Sequence, residues 1–279
     1  VSEEANCSLI DAAARLGVHY MTAYRYVRTG RLEAHQEGSQ WLVGESALRR
    51  FEESRNAGAG APRDRSRATT DRAVERLVSR LVAGDEAGGW GIVQEALVGG
   101  FAPTKVYLDL FVPALRSVGQ QWADGHLSVA DEHRASVVMH RFVGRMGPLM
   151  RTRGPRTGKV VVGAPAGEMH DLPATFAADI LRSEGFDVVD LGADVPPDAF
   201  SACALATDGL LAVAICVTTA ASRSSAGRLI EALKLAGVTA PIIVGGAGLS
   251  EVQALQLGAD QWTADVGALV RIVRAERRG

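Results

Sequence analysis

Apolar residues recur along this chain with two periods. Between residues 74 and 82, Val74, Leu77, Val78, Leu81 and Val82 follow the i, i+3, i+4, i+7, i+8 spacing of an amphipathic helix. The pattern predicts a second helix over Ala87–Leu97, ended by Gly99 and Gly100, and a third from Thr104 to Trp122, which Pro113 should kink by denying one backbone bond. Ser128, with Asp131 three residues on, is a capping signature for a fourth helix reaching Met150. Four helices on short loops make a bundle over residues 70–152. Beyond it the period changes. Short apolar runs at Lys159–Ala164, Asp187–Leu191, Leu210–Val217, Ile242–Val244 and Gln261–Thr263 alternate with helical segments, the pattern of parallel βαβ units over residues 157–279.

The first 54 residues read differently. Ser8 can cap a short helix that ends at Gly17, and a second helix follows with Thr22, Tyr24, Arg25, Tyr26 and Arg28. Two short strands around Gly38 and a helix over Ala47–Phe51 complete a winged unit. Over residues 7–54 the order helix, Gly turn, Tyr/Arg helix and wing with Trp41 resembles the excisionase-like and MerR-type winged helix families. That resemblance implies that Thr22, Arg25 and Arg28 face bases or phosphates and that the wing, Gln40 included, lies along the nucleic-acid backbone. Residues 55–69, rich in Gly, Ala, Pro and Arg, read as a flexible basic linker.

Composition sets bounds on this picture. At 279 residues and 47% hydrophobic, the chain can bury two or three small cores. No run reaches the length of a membrane span and no signal-peptide pattern opens the chain, so the cytoplasm is expected. Cys7, Cys203 and Cys216 are an odd number without paired spacing, which indicates neither a disulfide framework nor a structural zinc site. The net charge of −2 favours no polyanion, and residues 1–55 hold seven Arg against eight Asp or Glu. One winged unit would therefore release few counterions, which requires several copies acting together or a protein-docking role.

Candidate chemistry collects at the carboxyl ends of the expected strands. Glu168-Met-His-Asp-Leu-Pro follows the first strand, and a neutral imidazole in that loop can reach a bound metal or cofactor. The other strand ends offer Gly192–Val195, Cys216–Thr219 and Gly245–Gly248, and no Gly-x-Gly-x-x-Gly turn or P-loop lysine points to a nucleotide. In the helical region Trp122 closes one helix while Glu132 and His133 open the next. His133 and His140 share a face with Ser136.

The strand-end motifs resemble the cobalamin-binding domain, whose Asp-x-His-x-x-Gly motif supplies an axial histidine. By that resemblance His170 is the lower cobalt ligand, Glu168 orients it in place of the usual Asp, Thr218 follows the nucleotide tail, and Gly245 and Gly246 line its pocket. Pro173 stands where Gly is usual and Cys216 where Ser is usual. The whole order, winged helix, Trp122 with Glu132-His133 after nine residues, and cobalamin domain, resembles the CarH and LitR group of adenosylcobalamin-dependent light-responsive transcriptional regulators. The fold that this implies is a winged helix-turn-helix, an all-α four-helix bundle and a flavodoxin-like (Rossmann-like) α/β domain. The function that it implies is non-enzymatic repression. A dark homotetramer holding adenosylcobalamin binds a DNA operator and is released when light breaks the Co–C bond, with Trp122, Glu132 and His133 beside the adenosyl group. Ala123 stands where members of that group can carry a histidine. The alternatives are a cobalamin or other tetrapyrrole sensor without light response, and the corrinoid methyl carrier of a methyltransferase, which needs no winged helix.

Overall fold

The computed structural model describes residues 6–16, 23, 26–27, 32–37, 40–57, 61–152, 154 and 156–277. The chain divides after Arg72 into two compact units.

In the first unit, strands β1 (Asn6–Ser8), β2 (His35–Glu37) and β3 (Gln40–Gly44) form an antiparallel sheet in the order β1-β3-β2. Helices α1 (Leu9–Arg15) and α2 (Glu45–Ala57) accompany it. Leu9, Ala12, Leu16, Val43, Leu48 and Phe51 are buried in one small core. Glu37 pairs with Gln40 across the expected wing. The strand at Asn6–Ser8 was not legible in three polar or small residues and exists because it pairs with β3. Thr22, Arg25 and Arg28 lie outside the described residues.

Helix α3 runs from Ala61 to Ala83, so the segment expected as a flexible linker is helical from residue 61 onward. The reason is local: after Gly60 no glycine interrupts the Ala/Arg-rich run, and Pro62 falls in the first turn, where its missing N–H costs nothing. Helices α4 (Glu86–Val98), α5 (Pro103–Val106), α6 (Val112–Ala123) and α7 (Val129–Met146) follow. The capping box of Ser128 and Asp131 forms as expected.

Just before Pro113 lies a π-helical stretch at Tyr107–Phe111, where the N–H of Val112 bonds the carbonyl of Tyr107. A ring that cannot donate and that crowds the preceding turn is accommodated by widening that turn. Tyr107, Leu110 and Phe111 are all buried there. The Tyr107 hydroxyl donates to Asp179 Oδ2 at 2.7 Å, and Arg182 donates to Asp179 Oδ1 at 3.0 Å and to the carbonyl of Val188 at 3.2 Å. Tyr107→Phe should leave one oxygen of that buried carboxylate unpaired and cost about 1–3 kcal/mol, measured as a fall in urea midpoint. An unchanged midpoint would mean that Arg182 alone satisfies Asp179.

The α/β region carries a parallel sheet of β4 (Lys159–Gly163), β5 (Asp187–Asp190), β6 (Leu210–Cys216), β7 (Ile242–Gly245) and β8 (Gln261–Thr263). Its order is β5-β4-β6-β7-β8. These strands fall where the apolar runs predicted them. Alternation along β4 sends Val160 and Val162 into a core shared with α8 (Leu172–Ser183), α12 (Val266–Glu276) and the helical region. Val161 faces the other core, with α9 (Pro197–Leu205) and α10 (Arg223–Leu235). Helix α11 (Glu251–Gln256) adds Ala254 to that second core. The sheet is thus covered on both faces, and its carboxyl edge is where ligands of such folds bind. Among the described residues no helix is long and apolar enough to cross a membrane.

Candidate functional site

The loop after β4 is fixed by its own backbone and by a turn that follows β5. Gly167 donates its N–H to Asp194 Oδ1 at 2.7 Å, and the Asp194 N–H donates to the carbonyl of Glu168 at 2.9 Å. Asp194 has φ of 54°, a left-handed conformation that Asp tolerates better than most residues. The sequence showed Gly192–Val195 as a strand end but not this reciprocal clamp, which depends on a contact 27 residues away.

The clamp presents Glu168 and His170. Glu168 is 1% exposed. Its Oε1 lies 2.5 Å from His170 Nδ1; its Oε2 accepts the N–H of Thr218 at 2.8 Å and of Thr219 at 3.0 Å, and the Thr219 hydroxyl at 3.4 Å. Burial pushes the carboxyl up, but the bonds from His170, Thr219 and Thr218 outweigh it and bring the pKa from 4.5 to about 2. The bond from Glu168 in turn raises the pKa of His170 above 6.5, against burial. With Nδ1 tied to Glu168, Nε2 is the ring nitrogen that the half-exposed imidazole has left to offer. Thr219, missed from the sequence, is as close a partner of Glu168 as Thr218.

The two shifts set a pH window for the cofactor-free protein. A carboxylate depressed in the fold adds stability above 4.5 and loses it as pH falls toward 2; an imidazole raised in the fold adds stability below 6.5 and loses it as pH rises past its folded value. The pair should therefore contribute most between 4.5 and 6.5, with Glu168 supplying about 3 kcal/mol that disappears in acid. Urea midpoints taken from pH 2 to 8 should show this dependence in the native chain and a flatter acid limb in Glu168→Gln; equal limbs would refute it.

Cys216, at the end of β6, has its thiol pushed up to about 12, by burial first and then by Asp190 and Glu168, so it stays protonated. The Thr218 hydroxyl is buried without a hydrogen-bond partner among the described residues. Gly246 has φ of 112°, and a Cβ there would sit 2.2 Å from the carbonyl oxygen of Val217; at Gly245 it would meet Thr263 at 3.0 Å. Gly248 donates its N–H to that same Val217 oxygen at 2.9 Å, and Arg223 Nε donates to the Gly248 carbonyl at 2.5 Å. The glycine turn is thus packed backbone to backbone against the turn that carries Thr218. Pro173 lies in the first turn of α8, whose start it favours.

In the helical region Trp122 ends α6 and is 48% exposed, while Glu132 and His133 open α7. His133 Nδ1 lies 2.8 Å from Glu132 Oε2. His140 Nε2 lies 3.2 Å from Asp171 Oδ1, which joins α7 to the loop of His170. The Glu132 charge also acts on the His170 ring. The Glu132-His133 pair therefore lies near Glu168-His170. Trp122 reaches the same end of the helical region through the short loop 124–128.

Comparison with known proteins bears on what this place holds. Residues 73–146 and 158–269 each match a family model described as a B12 binding domain, and residues 7–56 match one described as a helix-turn-helix domain. Trimethylamine corrinoid protein 1 of Methanosarcina acetivorans is 28% identical over 75% of this chain and 98% of its own length. Trimethylamine corrinoid protein 2 of the same organism is 31% identical over 63% of this chain and 83% of its own. The structure of the Methanosarcina barkeri monomethylamine corrinoid protein superposes with a TM-score of 0.65 at 18% identity, covering 72% of this chain and 97% of that one, a likeness of fold.

These relatives correct two expectations. The light-responsive repressor with its dark homotetramer gives way, because the matching chains are corrinoid proteins named for methylamines. The DNA operator as partner gives way with it.

Proposed function

The chain belongs to the B12-binding corrinoid proteins, and from that premise we propose that it is a methyl carrier, an α/β corrinoid-binding domain under a four-helix bundle, which serves a partner methyltransferase and is not itself an enzyme. Its cofactor is a corrinoid. The likeness to the trimethylamine corrinoid proteins is the observation that carries this reading.

The residues fit the group. His170 offers a half-exposed imidazole from a loop at the carboxyl edge of the sheet, where ligands of open α/β folds bind. The unpartnered Thr218 hydroxyl has a hydrogen bond to give, and Gly245 and Gly246 keep the neighbouring turn free of side chains. When bound, the corrinoid supplies a cobalt that accepts a methyl group and gives it up again. The chain does the rest. Glu168 stays ionised and holds the proton of His170 on Nδ1, which leaves the Nε2 lone pair for the metal. The backbone N–H groups of Thr218 and Thr219 hold Glu168, so His170 and the turn that carries Thr218 are set by one carboxylate. Trp122, Glu132 and His133 would lie against the bound group, where the half-exposed indole would exclude water from a planar ring.

The test loads the full chain with hydroxocobalamin, reduces it with titanium(III) citrate and supplies methyl-labelled trimethylamine, dimethylamine or monomethylamine with a purified amine methyltransferase. Label eluting with the chain is the expected result. If the chain stays unlabelled while trimethylamine corrinoid protein 1, treated alongside, is labelled, the carrier reading for methylamines fails.

A further inference from the structure

Arg223 stands at the carboxyl edge of the sheet without an ion pair among the described residues. Its Nε donates to the Gly248 carbonyl at 2.5 Å, whereas Nη1 and Nη2 have no hydrogen-bond partner and no carboxylate among those residues. The residue is partly buried. A guanidinium that gives up water for one carbonyl is left with donors to satisfy and a charge to balance. Arg182 shows the usual solution, since it is matched by Asp179 at 3.0 Å and by the carbonyl of Val188. No motif read from the sequence includes Arg223.

Its place in the fold narrows what could meet it. Arg223 opens α10, and its bond to Gly248 ties the turn after β6 to the turn after β7. Those two turns carry the buried Thr218 hydroxyl, which also lacks a partner among the described residues, and the glycines Gly245 and Gly246. At Gly248 a Cβ would sit 2.6 Å from the carbonyl oxygen of Thr219, so backbone meets backbone there and the Nε bond holds the guanidinium in place. Ser222 spends its hydroxyl on that of Thr219 at 3.0 Å and α10 has no side-chain cap, so the positive end of that helix lies beside Arg223 as well. The complement of such a place is an oxyanion on a ligand held against the same two turns.

We propose that Arg223 is a specificity residue for the corrinoid: its guanidinium holds the phosphodiester that joins the nucleotide tail to the ring, so that the chain selects corrinoids with a complete tail over those without one. The inference rests on the reading of this place as a corrinoid site in which Thr218, Gly245 and Gly246 lie along the tail. A phosphodiester is a monoanion with a pair of free oxygens, which a guanidinium can take in parallel. Nη1 and Nη2 would thus gain the acceptors that the described residues do not supply, and the carrier would be loaded preferentially with a cofactor whose tail is in place.

The experiment titrates the full apo chain, by quenching of tryptophan fluorescence, with aquocobalamin, with cobinamide, which lacks the nucleotide and its phosphate, and with cobinamide phosphate, which keeps the phosphate alone. Each ligand is compared between variants rather than with the other ligands, so the cost of freeing cobalamin from its own base cancels. Arg223→Gln should weaken aquocobalamin and cobinamide phosphate about tenfold or more and leave cobinamide unchanged. Arg223→Lys, which keeps the charge and loses the fork, should lie between the native chain and Arg223→Gln for the two phosphate-bearing ligands. Urea midpoints report the fold of both variants, and should Arg223→Gln not fold, Arg223→Lys carries the same comparison. Equal weakening of all three ligands would make Arg223 a brace between two turns and overturn the inference, as would no change in any. Weakening of aquocobalamin alone overturns it too, since the residue would then read the ribose or the base. If the native chain binds none of the three, the corrinoid reading fails, and this one with it.

Discussion

Replacing His170 by alanine is expected to weaken corrinoid binding by far more than the roughly 10- to 100-fold that follows loss of a ligand's supporting carboxylate. Glu168→Gln gives the measure of that smaller effect, since glutamine can still approach Nδ1 but carries no charge to hold its proton. Titrating each apo variant with hydroxocobalamin, by quenching of tryptophan fluorescence, orders them: native, then Glu168→Gln, then His170→Ala. The fold should survive both changes. His170 is half exposed, and what it contributes to the apo protein is one side-chain bond to Glu168. If His170→Ala binds as tightly as the native chain, the corrinoid does not reach the protein through this imidazole, and the buried carboxylate serves only to join two turns.

The second large effect concerns stability. Gly246→Ala places a Cβ 2.2 Å from the Val217 carbonyl oxygen in a residue at φ of 112°. Strain at such a φ costs of order 1–3 kcal/mol, and the overlap adds to it because backbone rather than a flexible side chain must give way. A loss of about 3 kcal/mol or more is expected in urea unfolding of the apo protein. Gly167→Ala provides the contrast, since its φ of 83° is strained but its Cβ would meet open space. A Gly246→Ala chain as stable as Gly167→Ala would mean that the turns after β6 and β7 separate at no cost.

Much of this molecule could be read from spacing. The strands of the α/β region announced themselves as apolar runs because a sheet covered on both faces demands them. The Ser128 capping box was visible because its two residues are three apart in sequence. What stayed hidden was set by distant contacts. Asp194 was one of several small or polar residues at a strand end until the loop of Glu168 closed against it. Thr219 looked no different from Thr218, since nothing local marks which backbone N–H a carboxylate fifty residues earlier will accept. The linker failed for the opposite reason: its Gly and Pro content was weighed over the whole segment, although both lie at or before the first helical turn. Function was the least legible. The resemblance that pointed to a corrinoid pointed also to a regulator, and the relatives favour the carrier.

The widened turn at Tyr107–Phe111 also sets an angle. One residue more than a regular α-turn rotates everything after it by about 100° about the helix axis. Ala114 and Val118 are buried after that rotation, and Trp122 emerges at the far end. Deleting a single residue there would restore a regular helix and swing the indole to another side of the cylinder without touching it. The bearing of Trp122 is therefore a matter of chain length in a turn that begins fifteen residues upstream, and one codon gained or lost is enough to reset it.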